Sequence, residues 1–167
     1  VMESIKTGKL EKVNITRESL MGGMSCGEPS LVPWKILKKS VNNCISLPDD
    51  DIGKAMKLFA NASFGEDKIV AGENSVPGVI SLIASCNDQN IKNKLDLDIK
   101  SKVLLIGCEG DTDQEMYQKH FYVLQGYQMA PLIALNRISV ILCKNLGPQS
   151  LNHHQEIFQF LLLLTFF

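Results

Sequence analysis

Val103-Leu104-Leu105-Ile106-Gly107-Cys108-Glu109-Gly110-Asp111-Thr112-Asp113 is an aliphatic run that breaks into a glycine-containing loop and then opens a helix. The consecutive aliphatic residues read as a buried strand, and Gly107 and Gly110 mark the turn after it. Thr112 and Glu115 stand at the spacing of a capping box, where hydroxyl and carboxylate each satisfy an orphan amide of the first helical turn. In open α/β sheets ligands bind beyond the C-terminal ends of strands, and helix N-termini favour anions. A tight strand-to-helix turn with a good cap accounts for the same residues without any ligand.

Upstream, the same alternation recurs. Ser30 is placed to cap a helix with Pro33 in its first turn, and Trp34, Leu37, Val41 and Cys44 follow at helical spacing. Residues 44–47 form a short apolar run that reads as a strand. Next, Pro48-Asp49-Asp50-Asp51 puts carboxylates where they complement a helix dipole, and Ile52, Ala55, Met56 and Phe59 make an apolar stripe. Residues 68–71 give another strand candidate, followed by a turn at Gly72-Glu73-Asn74-Ser75. Pro77 suits a first helical position, with Val79, Leu82 and Ile83 on the buried face. A polar, exposed link covers residues 87–100. The repeated strand, loop and helix predict an α/β fold in three layers with a mainly parallel sheet.

Composition narrows the function. At 167 residues the chain can bury one ordinary core, and 45% apolar with 21% charged residues is usual for a soluble domain. A formal net charge of −1 gives no electrostatic reason to expect nucleic acid or a membrane surface as partner. Cys26, Cys44, Cys86, Cys108 and Cys143 are scattered, odd in number and without CxxC spacing, so neither a disulfide framework nor a zinc site is indicated. Reduced thiols in a cytoplasmic protein are the expectation. His153 and His154 are adjacent and point apart, unlike the i, i+4 pairs of helical metal sites, so no metal is expected. The first residues carry no signal pattern, and the start on Val1 reads as a chain cut from a longer one. From residue 121 the apolar stretches lose clear period and caps. The last eight residues are very apolar, but a bilayer span needs roughly 20. A boundary is expected at 120/121, with residues 1–120 as one portion and 121–167 as a divergent apolar tail.

Three ordered blocks carry a family resemblance. They are Leu20-Met21-Gly22-Gly23-Met24-Ser25-Cys26-Gly27-Glu28-Pro29 with Trp34 after it, Ala71-Gly72-Glu73-Asn74-Ser75-Val76-Pro77-Gly78, and Glu109-Gly110-Asp111-Thr112-Asp113. In order and spacing they resemble the C-terminal part of the diaminopropionate ammonia-lyases, from Val1 to about His120. The resemblance implies a tryptophan-synthase-β-like, fold-type-II enzyme with pyridoxal 5'-phosphate (PLP) between two domains. It also implies β-elimination of 2,3-diaminopropionate to pyruvate and ammonia, and a homodimer when intact.

Site residues follow from the same resemblance. A side chain at the end of the last strand, usually a Ser or Thr hydroxyl, meets the cofactor's pyridine nitrogen. Gly107 and Cys108 occupy that place here; glycine has no side-chain donor, and a thiol is a weak one. Cys108 also reads as a half-buried structural cysteine. Glu73 falls where relatives put a residue near the cofactor ring, and Asn74 departs from the family's serine; a plain helix-start turn is the other reading. Glu28 is placed either to line the cleft toward substrate or to cap the helix near Ser30. The family's cofactor-anchoring lysine and phosphate loop match no segment here. Lys38, Lys39 and Lys57 sit at polar helical positions and read as solvated. No catalytic residue is therefore assigned, and the chain alone is expected to be inactive without an N-terminal lyase portion. Two alternatives stay open: a serine/threonine dehydratase-like piece, and a degenerate, non-catalytic binding or dimerisation module.

Overall fold

The computed structural model describes residues 1–64, 67–122, 139–142 and 162–163. A short helix α1 (Met2–Thr7) ends at Gly8, whose φ of 71° is the left-handed cap that glycine adopts without strain. Its buried Ser4 hydroxyl accepts from Glu11 N at 2.9 Å and so turns the chain back on the helix. Helix α2 (Leu31–Ser40) starts after Ser30, which takes the N-cap position without a side-chain hydrogen bond. It stops at Ser40, short of the Cys44 end of the periodic pattern. Trp34 is its buried residue, while Leu31, Val32 and Ile36 stay exposed.

β1 (Asn43–Ser46) matches the expected strand. Cys44 and Ile45 point to opposite faces and are 0% and 1% exposed, so this strand is buried on both sides. A 3-10 turn, Asp49–Asp51, leads into α3 (Ile52–Ala60). Asp51 is nearly fully buried there, and Lys54 neutralises it at 2.6 Å. Ile52, Ala55 and Met56 are wholly buried and Phe59 packs against the same core, as the stripe predicts. Each large side chain removed from water in this way stabilises by about 2 kcal/mol. α4 (Pro77–Asn87) begins on its proline; Val79 and Ile80 are buried, while Leu82 and Ile83 are only half-buried.

The link at 87–100 is not simply an exposed connection. It contains α5 (Gln89–Lys94), whose Asp88 carboxylate accepts from Asn90 N and Ile91 N at 2.8 and 3.0 Å. Ile91 and Leu95, one turn apart, anchor this otherwise polar segment in the core. Helix α6 (Gln114–Tyr122) also differs at its start. Its cap is Asp113, whose Oδ1 accepts from Met116 N at 2.9 Å, rather than the Thr112–Glu115 box.

The sheet departs furthest from expectation. β2 (Ser139–Leu142) pairs antiparallel with β1, and β3 (Leu162–Leu163) pairs parallel with it, in the order β2-β1-β3. Helix predominates among the described residues, and the small mixed sheet among them does not bear out the three-layer, mainly parallel arrangement. Residues 68–71 are no strand; Ile69 and Val70 are exposed. Residues 103–106 make one isolated bridge, at Val103. They keep the extended alternation, with Leu105 packed on the core and Leu104 and Ile106 outside at 46% and 67% exposure. An aliphatic sequence sets the extended shape, but a strand also needs a ladder partner, and among the described residues none runs beside this one. The 120/121 boundary falls within α6; apart from α6, β2 and β3, the proposed tail lies outside the described residues.

Candidate functional site

The site is built where the turn Glu73–Ser75, a single 3-10 turn before α4, meets residues 107–110. Glu109 joins the two. Its Oε2 accepts from Asn74 N at 2.9 Å and from Asn74 Nδ2 at 2.8 Å. Its main chain is held as firmly: Glu109 N donates to Ser75 Oγ at 2.6 Å, and Ser75 Oγ donates back to Glu109 O at 2.6 Å. Gly72 N donates to the same carbonyl at 3.0 Å. This approach requires glycine at 72, since a Cβ there would overlap Gly110 O and press on Glu109 Cγ.

The residues predicted for a cofactor surround this clasp. Cys108 Sγ lies 3.5 Å from Asn74 O, so its weak donor is engaged within the protein although the residue itself is exposed. A Cβ on Gly107 would come within 3.4 Å of Ser75, ordinary contact, and the position is exposed. Gly23, in the 3-10 turn Gly22–Met24, lies against the Asn74 side chain. The structure thus brings together all three blocks singled out in the sequence.

Glu73 turns the other way, toward α6. Its Oε1 is 3.6 Å from His120 Nε2, and both atoms are buried without a hydrogen-bond partner. Asn74 Oδ1 is a third buried polar atom without one. Nearby on α6, burial pushes the Tyr117 phenol above its usual range, and the Asp111 carboxylate adds to the shift. Glu28 is elsewhere engaged: Lys12 Nζ lies 2.9 Å from its Oε2 in an exposed pair, and that carboxylate raises the Lys12 ammonium. It does not cap α2.

Sequence reasoning missed Ser75, Glu109, His120 and Gly23. Each acts through a partner distant in sequence, and only the block resemblance marked their neighbourhoods. Among the described residues, Cys26, Cys86 and Cys108 are free thiols and no His/Cys/Asp/Glu group is arranged for a metal. Among the same residues, no helix is long and apolar enough to cross a membrane. His153 and His154 lie outside the described residues.

No protein-family profile matches the chain. It is 35% identical over 104 residues to the diaminopropionate ammonia-lyase of Salmonella typhimurium strain LT2, covering 60% of this chain and 26% of that protein. Over 115 residues it is 30% identical to the diaminopropionate ammonia-lyase of Escherichia coli strain K12, covering 67% of this chain and 29% of the relative. The resemblance read from the three blocks is borne out. The chain spans between a quarter and a third of the length of these relatives.

Proposed function

We propose that this chain supplies one wall of the cofactor cleft in a PLP-dependent ammonia-lyase, which converts 2,3-diaminopropionate to pyruvate and ammonia by β-elimination. One observation carries the reading. The three lyase-like blocks converge on Asn74, with Gly23 against its side chain and Glu109 accepting both of its N–H groups.

The residues present fit one side of such a site. Asn74 Oδ1 is a buried acceptor without a partner, and Gly107 and Cys108 are exposed next to the turn that carries it. Glu73, Asn74, Gly107 and Cys108 would hold PLP, which when bound supplies the electron sink for carbanion chemistry. The chain's own part is to bind and orient. Gly107 lets a ligand approach the main chain closely, and Glu73 presents a carboxylate. The Cys108 thiol, directed at Asn74 O, offers the pyridine nitrogen no strong donor. Glu28, which Lys12 pairs with at the surface, is assigned to the substrate side on the lyase resemblance alone. The anchoring lysine and phosphate loop come from an N-terminal lyase portion, so the chain alone is inactive. The assembled enzyme is a cytoplasmic homodimer of tryptophan-synthase-β-like fold.

Mixing the chain with an N-terminal lyase segment bearing lysine and phosphate loop tests this reading. A purified complex should retain stoichiometric PLP and release pyruvate from 2,3-diaminopropionate, whereas the chain alone should give no lysine adduct after borohydride reduction. A complex that forms without cofactor would overturn the reading. Faster 2-oxo acid release from serine or threonine than from diaminopropionate would move it to the dehydratases.

A further inference from the structure

Glu73 and His120 sit on separate elements, the turn before α4 and the last turn of α6, yet their side chains meet inside the protein. The Oε1–Nε2 separation is 3.6 Å, the side chains are 13% and 16% exposed, and neither atom has another hydrogen-bond partner. A buried carboxylate oxygen and a buried imidazole nitrogen are each unfavourable alone, and each is the natural complement of the other. The gap is only a few tenths of an ångström beyond a hydrogen bond, well within a small side-chain rotation. α6 also begins just beyond Glu109: Asp113 caps its first turn, and four residues earlier the 72–75 turn clasps Glu109. Both ends of the 109–120 segment therefore return to the same turn.

We propose that His120 is a positioning residue. Its Nε2–H closes on Glu73 Oε1 and fixes the carboxylate in the orientation that the cofactor wall uses. This assignment rests on the reading of Glu73 as part of that wall. An Nε2-protonated imidazole donates to the carboxylate as a charge-assisted bond, the stronger kind. The histidine touches no reacting atom; it acts through Glu73.

The pair is first tested on the full chain, independently of any cofactor. Long-range 15N–1H correlation of the imidazole should show Nε2 carrying the proton in the parent chain, and this signature should change in Glu73→Gln. His120→Gln keeps a donor near the Nε2 position and His120→Leu removes it. A stability cycle of Glu73→Ala with His120→Leu should show coupling of about tenfold in the unfolding equilibrium constant. In complex with the N-terminal lyase segment, His120→Leu should shift the absorption spectrum of bound PLP and lower kcat with little change in KM, and His120→Gln should restore both. An unchanged imidazole signature in Glu73→Gln, or identical behaviour of the Leu and Gln variants, overturns the assignment. Should His120→Leu fail to fold, His120→Gln and Glu73→Gln still decide it. If even the parent complex takes up no PLP, the lyase reading fails, and the imidazole signature alone then decides the pair.

Discussion

Glu109 and Asn74 are bound by a two-pronged clasp, in which one carboxylate oxygen accepts both the main-chain and the side-chain N–H of Asn74 at 2.9 and 2.8 Å. Hydrogen bonds to a charged group contribute more than neutral ones, and Asn74 would lose both at once. Glu109→Ala is therefore expected to destabilise the chain by about 2 kcal/mol, and Glu109→Gln, which keeps an acceptor, by roughly half of that. Urea denaturation of the three proteins checks the order; equal stability of Ala variant and parent would rule out the clasp.

Gly72 and Gly110 make a matched pair for substitution. A methyl group at Gly72 would run into Gly110 O and Glu109, whereas nothing lies within 4 Å of one at Gly110. Gly72→Ala should cost about 3 kcal/mol, near the upper end for overpacking because main chain must shift, while Gly110→Ala should be close to neutral. Thermal unfolding of the two variants reads the contrast directly.

Asp88 caps a helix whose sequence is mostly polar. Its Oδ1 holds two amides at the start of α5. Asp88→Ala should lower stability by about 1 kcal/mol, the usual cost of losing a cap. Hydrogen exchange should speed up at Asn90 and Ile91 first. Unchanged exchange at both would mean that the cap contributes nothing.

Among the described residues, all six α-helices lie at or before Tyr122, while β2 and β3 lie beyond it. A chain ending at Tyr122 is therefore expected to keep its helical circular dichroism but to unfold at lower urea, since β1 loses its partners on both edges. Each ladder hydrogen bond is worth roughly 1 kcal/mol net. Collapse of the helical signal on truncation would refute a separable portion near residue 120.

What could be read from sequence was local. The Ile52, Ala55, Met56 stripe and Pro77 placed α3 and α4, because helical period and a first-turn proline act within a few residues. β1 was legible as a short apolar run. α5 was overlooked because only Ile91 and Leu95 mark its buried side, although Asp88 was available as a capping signal. Residues 103–106 illustrate the opposite failure: their alternation was legible, but pairing depends on a neighbour that no local pattern names. The same limit held at the site. Glu73, Asn74, Gly107 and Cys108 were picked out through the lyase resemblance, and the fold gathers them. Glu109, Ser75 and His120 matter through contacts across long stretches of chain, and those contacts leave no spacing to detect.

Ser75 does for Glu109 what a neighbouring strand does in a sheet. One hydroxyl takes the N–H and satisfies the C=O of the same residue, each at 2.6 Å. The loop therefore has a pinned peptide rather than a rigid frame. Gly107 lies on one side of the pin and Gly110 on the other, so rotation is cheapest at the flanks and most costly at the middle. A molecule settling against this loop meets a surface with a fixed pivot and two adjustable shoulders. Removing the hydroxyl would release the pivot itself, turning local adjustment into displacement of the whole loop.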